Sequence, residues 1–224
     1  MSTRRDGVRG VILDVDGTLV DSNRLHALAW HDTFAEAGLD GGSVEEIHRL
    51  IGMGSDKLLP EAVGIGKETP EGEHLAERRA EIFRERYLER VRGLPGSGEL
   101  VEALRARGHR LAVASSAKPE ELDVLLERAG AHALAERATS ADEVGGSKPE
   151  PDVVEAAIRE LDLTPDACTM IGDTPYDIEA ATRAGVSIIA LRSGGWSDDG
   201  LAGAAAIYEN PEDLLEHLDD SPLA

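Results

Sequence analysis

Four short apolar runs constrain this chain most: Val8–Leu13, Arg110–Ala114, Cys168–Ile171 and Ser187–Leu191. A strand with one wet face alternates apolar and polar side chains. A parallel strand covered on both faces is apolar almost throughout, and these runs are of that kind. Amphipathic helical patterns lie between or beside them, at Leu100–Arg107, Glu120–Ala129, Asp152–Leu161 and Tyr176–Ala184, the last stopped by Gly185. Further short strands are expected at Arg137–Ser140 and Ala205–Tyr208. Strand–helix alternation of this type predicts an α/β fold with a doubly wound, parallel, Rossmann-like sheet. Such sheets bind ligands beyond the carboxyl ends of their strands.

The alternation breaks between Ser22 and Arg92, where the pattern is helical throughout: Arg24–Ala37, Val44–Leu50, Asp56–Ala62 and a long Glu71–Val91, with glycines between them. The chain is therefore divided into a core, residues 1–20 and 93–224, and an inserted helical cap, residues 21–92, with Gly93–Gly96 as the hinge back. The residues before Val8 and after about Leu218 are expected to be loosely held.

Charge removes several function classes. With 44 acidic against 23 basic residues the formal charge is −21, and no Lys/Arg cluster suits a nucleic acid or an anionic membrane. Aromatics, at 3%, are too few for base-stacking platforms. No apolar stretch approaches a membrane span, and the apolar start is short and broken by Asp14, so a cytoplasmic protein is expected. The single Cys168 excludes an internal disulfide and reads as an inert buried thiol. A field this acidic repels phosphorylated substrates, so any such site needs a local cation.

Four motifs fall at the ends of the expected strands. The first is Asp14-Val15-Asp16-Gly17-Thr18, two carboxylates on one face of a still-extended segment, with Gly17 turning the chain away. Read as a calcium loop from Asp14 it would need Gly and Glu where Leu19 and Leu25 stand, and there is no Gly-Lys-Ser/Thr element for a phosphate loop. The second is the hydroxyl pair Ser115-Ser116, the third the isolated Lys148 in Gly146–Pro151, and the fourth Gly172-Asp173-Thr174-Pro175-Tyr176-Asp177. Taken singly, the second reads equally as a helix cap, the third as a solvated lysine, and Asp177 as dipole complementarity at a helix start.

Together and in this order, DVDGT, the hydroxyl after LAVAS, Lys148 and GDTPYD resemble the four motifs of the haloacid-dehalogenase superfamily, in its phosphatase and β-phosphoglucomutase-like branch. The helical insertion resembles that superfamily's α-helical cap, so the resemblance spans nearly the whole chain. It implies a Mg²⁺-dependent phosphatase acting on a small phosphorylated metabolite of the sugar phosphate or phosphoglycolate type. Asp14 would be the nucleophile that forms an aspartyl-phosphate. Asp16 would be general acid and base, which requires a raised pKa. Ser115 and Lys148 would hold the transferring phosphoryl group. Mg²⁺ would be bound by Asp14, the carbonyl of Asp16, and Asp173, with Asp177 positioning its waters. Gly17, Thr18, Ser116 and His26 would lie at the phosphate or substrate. In the cap, Arg49, Ser55 and Lys57 are candidates to face the crevice, and Trp30 reads mainly as packing. The alternatives are a phosphosugar mutase, disfavoured because Ile51 and Ser55 stand at that enzyme's basic positions, and a non-catalytic binding protein of the same fold. A monomer or weak homodimer is expected.

Overall fold

The computed structural model describes residues 9–115, 117, 119–132, 134, 138–140 and 146–224, with side chains left aside at 119, 120 and 138–140. The six-stranded sheet is built from β1 (Gly10–Leu13), β4 (Arg110–Ser115), β5 (Ala138–Ser140), β6 (Cys168–Gly172), β7 (Ser187–Leu191) and β8 (Ala206–Tyr208). Their order is β5-β4-β1-β6-β7-β8, and every pairing is parallel.

The period of two explains the unalternated apolar runs. Val11 and Leu13 of β1, Leu111 and Val113 of β4, and Ile189 and Leu191 of β7 enter one core layer. Ile12, Ala112, Ala114, Ile188 and Ala190, their neighbours along the same strands, enter the other. Helices α5 (Ser97–Ala106), α6 (Pro119–Arg128) and α9 (Pro211–Glu216) cover the first face through Leu100, Leu104, Leu125, Leu126 and Leu214. Helices α7 (Asp152–Leu161) and α8 (Pro175–Arg183) cover the second through Val154, Ala157, Ile158, Ile178 and Ala181. Cys168 is buried in this second layer and burial raises its thiol pKa, as an inert thiol requires.

From β1 the chain builds outward to β5 on one side, then crosses to build β6, β7 and β8 on the other. The reversal leaves a crevice beyond the carboxyl ends of β1, β4 and β6, the strands that carry the first, second and fourth motifs.

Residues 23–90 are helical among themselves: α1 (Asn23–Ala37), α2 (Val44–His48), α3 (Ser55–Val63) and α4 (Pro70–Ile82). They enclose a separate apolar cluster of Ala27, Trp30, Phe34, Ile47, Ile51, Leu58, Leu59 and Leu75. The expected single helix to Val91 is instead α4 followed by a π-helical turn, Phe83–Tyr87, and a short 3-10 turn, Leu88–Arg90. The wider turn packs Phe83 and Tyr87 into the sheet-side core, which apolar spacing alone does not reveal. Where the chain enters and leaves this segment, β2 (Val20–Asp21) and β3 (Arg92–Gly93) pair antiparallel. The expected loose carboxyl end is instead packed: Leu218 and Leu223 are buried in the core, and Arg9 donates to the carbonyl of Pro222 at 2.8 Å. Among the described residues no helix is long and apolar enough to cross a membrane.

Candidate active site

Asp14 follows β1 directly and stays in register with β6, its amide donating to the carbonyl of Ile171 at 2.9 Å. The chain then reverses tightly: the amides of Leu19 and Val20 both reach the carbonyl of Val15, and that of Gly17 reaches Val20. Gly17 sits at φ 77°, and a Cβ there would lie 2.2 Å from Oδ2 of Asp173. Gly17→Ala is therefore expected to destabilise the protein by about 1–2 kcal/mol from backbone handedness alone, and by more from displacing Asp173. Urea unfolding of the variant measures this, and an unchanged midpoint would contradict it.

Asp14, Asp173 and Asp177 come together from β1 and from the start of α8, one carboxylate oxygen of each within 4.8 Å of the others. All three are buried. Lys148, 2% exposed, is inserted between Asp14 and Asp177; its ammonium contacts Asp14 Oδ1 and lies 2.7 Å from Asp177 Oδ1. Burial alone would lower the Lys148 pKa, but the two carboxylates outweigh it and hold the ammonium charged. Burial pushes Asp14 up to about 7; Lys148 pulls against this, while Asp177 and Asp16 add to it. Asp173 is raised well above the ordinary range by burial and then by Asp14 and Asp177. Its oxygens are oriented by Thr18 Oγ1 at 2.9 Å and Asn23 Nδ2 at 2.8 Å. One lysine thus faces three buried carboxylates, and the mutual repulsion that remains is what a bound cation relieves. An all-oxygen set of this kind suits a hard divalent ion, so the residues present fit a metal.

Asp177 also caps α8, its Oδ2 accepting from Thr174 Oγ1 at 2.7 Å and from the Thr174 amide at 3.0 Å. The capping role and the position beside the acid cluster coexist, because its two oxygens point to different partners.

Asp16 lies in a different environment. Its Oδ1 accepts from Ser22 Oγ at 2.5 Å and from His26 Nε2 at 2.8 Å, and the His26 ring stacks on Phe83 with centroids 4.0 Å apart. Burial would raise this carboxyl, but His26, by charge and hydrogen bond, together with Ser22 and Arg79, outweighs it and the pKa is lowered. The expectation of a raised pKa at Asp16 is corrected on this point: its nearest neighbours are donors and cations, not the other acids.

A cavity of about 400 Å³ opens above these groups, lined on the sheet side by Asp14, Asp16, Ala117, Glu121 and Ser147 and on the helical side by His26, Trp30, Ser55, Asp56 and Arg79. Ser115 ends β4, buried, with its Oγ accepting from the amide of Ala117 at 3.1 Å. Ser116 lies outside the described residues. Thr18 and Gly17 face Asp173 rather than the cavity. Of the cap candidates Ser55 lines the cavity; Arg49 and Lys57 do not, Arg49 using its carbonyl to accept from Tyr176 Oη at 2.6 Å and Lys57 lying 4.0 Å from Asp56. Trp30 serves both as packing, at 2% exposed, and as cavity wall.

Sequence reasoning missed Arg79, Glu121, Asn23 and the contact of Ser147 Oγ with Asp56 at 2.5 Å. In the sequence Arg79 is one of two adjacent arginines, Arg78 and Arg79, within a helical pattern. No spacing rule tells which arginine turns inward, nor that Glu121 meets it from another element.

The parallel switch-point sheet carries the acid cluster and the buried lysine at its carboxyl edge, and a family model described as haloacid dehalogenase-like hydrolase matches residues 11–191. This chain belongs to the haloacid dehalogenase-like hydrolases. It is 31% identical over 182 residues to a phosphoglycolate phosphatase of Aquifex aeolicus, covering 80% of this chain and 82% of that protein. Among solved structures it is similar to a hydrolase from Pseudomonas syringae, with a TM-score of 0.87, 32% identity, and 96% of this chain and 99% of the other covered. It is also similar to a HAD family hydrolase from Deinococcus radiodurans with bound phosphate and sodium, with a TM-score of 0.68, 27% identity, and coverage of 96% and 97%.

Proposed function

We propose that this phosphatase hydrolyses a small phosphomonoester, of the sugar phosphate or phosphoglycolate type, with Mg²⁺ as cofactor and an aspartyl-phosphate on Asp14 as the intermediate. The carrying observation is Asp14 itself: a nearly buried carboxylate at the end of β1, gripped by Lys148, clustered with Asp173 and Asp177, and lining the same cavity as Asp16. That the Deinococcus radiodurans relative was solved with bound phosphate is in keeping with a phosphorylated substrate.

In this reading an Asp14 oxygen attacks phosphorus and the bond to the leaving oxygen breaks. The leaving oxygen takes a proton from Asp16, and the resulting carboxylate then takes a proton from the water that releases phosphate from Asp14. His26 Nε2 and Ser22 Oγ hold Asp16 Oδ1 at the cavity, and the acid role needs the negative charge of a bound phosphoryl group to raise the carboxyl pKa that these neighbours lower in its absence. Lys148 offsets charge on Asp14 and the phosphoryl group, and the Ser115 hydroxyl, whose oxygen already accepts from Ala117, is left to donate outward. Mg²⁺, held by Asp14, the Asp16 carbonyl and Asp173 beside Asp177, would supply the positive charge that the phosphoryl oxygens need. We propose also that residues 21–92 form a separate cap on the core of 1–20 and 93–224. Its own apolar cluster and the β2–β3 ribbon at its two crossings support this.

The test is phosphate release from a panel of phosphomonoesters with Mg²⁺ and with chelator, including β-glucose-1-phosphate with a trace of the bisphosphate. Metal-dependent release is expected. Glucose-6-phosphate formed faster than phosphate would make the enzyme a mutase instead, and metal-independent release would remove Mg²⁺ from the proposal.

A further inference from the structure

Arg79 of α4 reaches the cavity with its guanidinium 5.6 Å from the Trp30 ring centre and 5.9 Å from that of Phe83. Packing against two rings fixes where this cation stands. It is also already paired. Glu121, 7% exposed, comes from α6 on the sheet side and places Oε1 3.7 Å from the Arg79 guanidinium. Around this pair the helical wall presents Asp56, Glu73 and Glu77, with Lys67, so beyond Asp14 and Asp16 four carboxylates line the cavity with two cations, Arg79 and Lys67. The balance matters because the phosphoryl group is served by Lys148 and the acid cluster; whatever the phosphate is attached to must meet this wall.

We infer that Glu121 selects the leaving group: by neutralising Arg79 it admits phosphate esters of uncharged, hydroxyl-rich groups, sugars or polyols, and rejects esters whose leaving group carries a carboxylate or a second phosphate. This rests on the phosphatase reading and narrows it. A second anion docking in the cavity needs the charge of Arg79. Glu121 occupies that charge and, being buried, cannot swing into water to release it. Like charges brought together in a partly desolvated cavity repel strongly. Hydroxyl groups meet the opposite situation, since every carboxylate on the wall is an acceptor and each hydroxyl can donate.

The test uses substrate pairs matched in size that differ in one carboxylate: glucose 6-phosphate against 6-phosphogluconate, and glycerol 1-phosphate against 3-phosphoglycerate. Values of kcat/KM are measured with Mg²⁺ for the wild-type enzyme, for Glu121→Gln, which keeps the shape and drops the charge, and for Glu127→Gln, exposed on the same helix and outside the cavity wall. Wild type is expected to favour the uncharged member of each pair by about tenfold or more. Glu121→Gln is expected to cut that preference by about tenfold, mainly through a lower KM for the acid member, while Glu127→Gln leaves the preference where it was. A wild-type preference for the acid members, or a preference that Glu121→Gln does not move, overturns the inference. Turnover of p-nitrophenyl phosphate but of none of the four esters also overturns it and leaves the phosphatase reading intact. If p-nitrophenyl phosphate is inert as well, both fall.

Discussion

Asp14→Asn is expected to lower kcat by about 10⁴-fold or more, in line with removal of a covalent nucleophile, while leaving the protein folded. The substitution keeps the shape of the side chain and removes its negative charge. Lys148 keeps Asp177 as a partner at 2.7 Å, so its buried ammonium is not orphaned. One of three mutually repelling buried carboxylates is gone, so thermal stability without metal should hold or rise. Phosphate release and a melting curve on the same preparation separate the two effects. A variant that keeps kcat within tenfold of wild type would mean that another group attacks phosphorus. A variant that loses activity together with its fold would assign Asp14 a structural role instead.

The second large effect is expected from the cation. Without metal Asp14 is raised to about 7 and Asp173 is raised well above its ordinary range, both mainly by burial. A carboxyl whose folded pKa exceeds its unfolded value binds a proton that the unfolded chain has already lost. The contribution of Asp14 to stability therefore falls as pH rises from about 4 through 7, and that of Asp173 falls in the same direction. Under the proposed function Mg²⁺ is expected to reverse this, because it would take the ionised forms. Addition of Mg²⁺ at 100 times its dissociation constant contributes about 2.7 kcal/mol, or roughly 5–10 °C in a chain of this size. The gain should be larger at pH 8 than at pH 5.5, where protons compete for the same oxygens. Melting curves at both pH values, with Mg²⁺ and with chelator, measure it. Equal gains at both pH values would mean that the ion binds elsewhere. Asp173→Asn should remove most of the gain, since it takes a charge from the cluster and sets an amide against the Asn23 amide that now donates to Oδ2.

The expected strands near 110, 168 and 187 and the two helices that follow Asp152 and Tyr176 are found within a residue or two of where periodicity puts them, because each is buried on a face that its own spacing announces. The ends of the helical segment were less legible. β2 and β3 are two residues each and are held by pairing between distant positions, Val20↔Gly93 and Asp21↔Arg92, for which no local pattern exists. The π turn at Phe83–Tyr87 is likewise a tertiary choice: the helix widens to put Phe83 under the His26 ring.

The sequence by itself determined the parallel α/β core, the placing of Asp14, Ser115 and Asp173 at strand ends, and the candidacy of Lys148 and Asp177. Each of these follows from local spacing: where an apolar run stops, where a glycine permits a turn, where a helix must begin. Only the tertiary structure decided that Lys148 lies between Asp14 and Asp177, that Asp16 answers to His26 and Ser22 rather than to the other acids, and that Arg79 meets Glu121 across the cavity. The lysine and arginine contacts join side chains far apart in the chain, and those of Asp16 with Ser22 and His26, though closer, need the turn after β1 and the start of α1 to be brought together; electrostatic environment depends on distance and burial, which are properties of the folded arrangement.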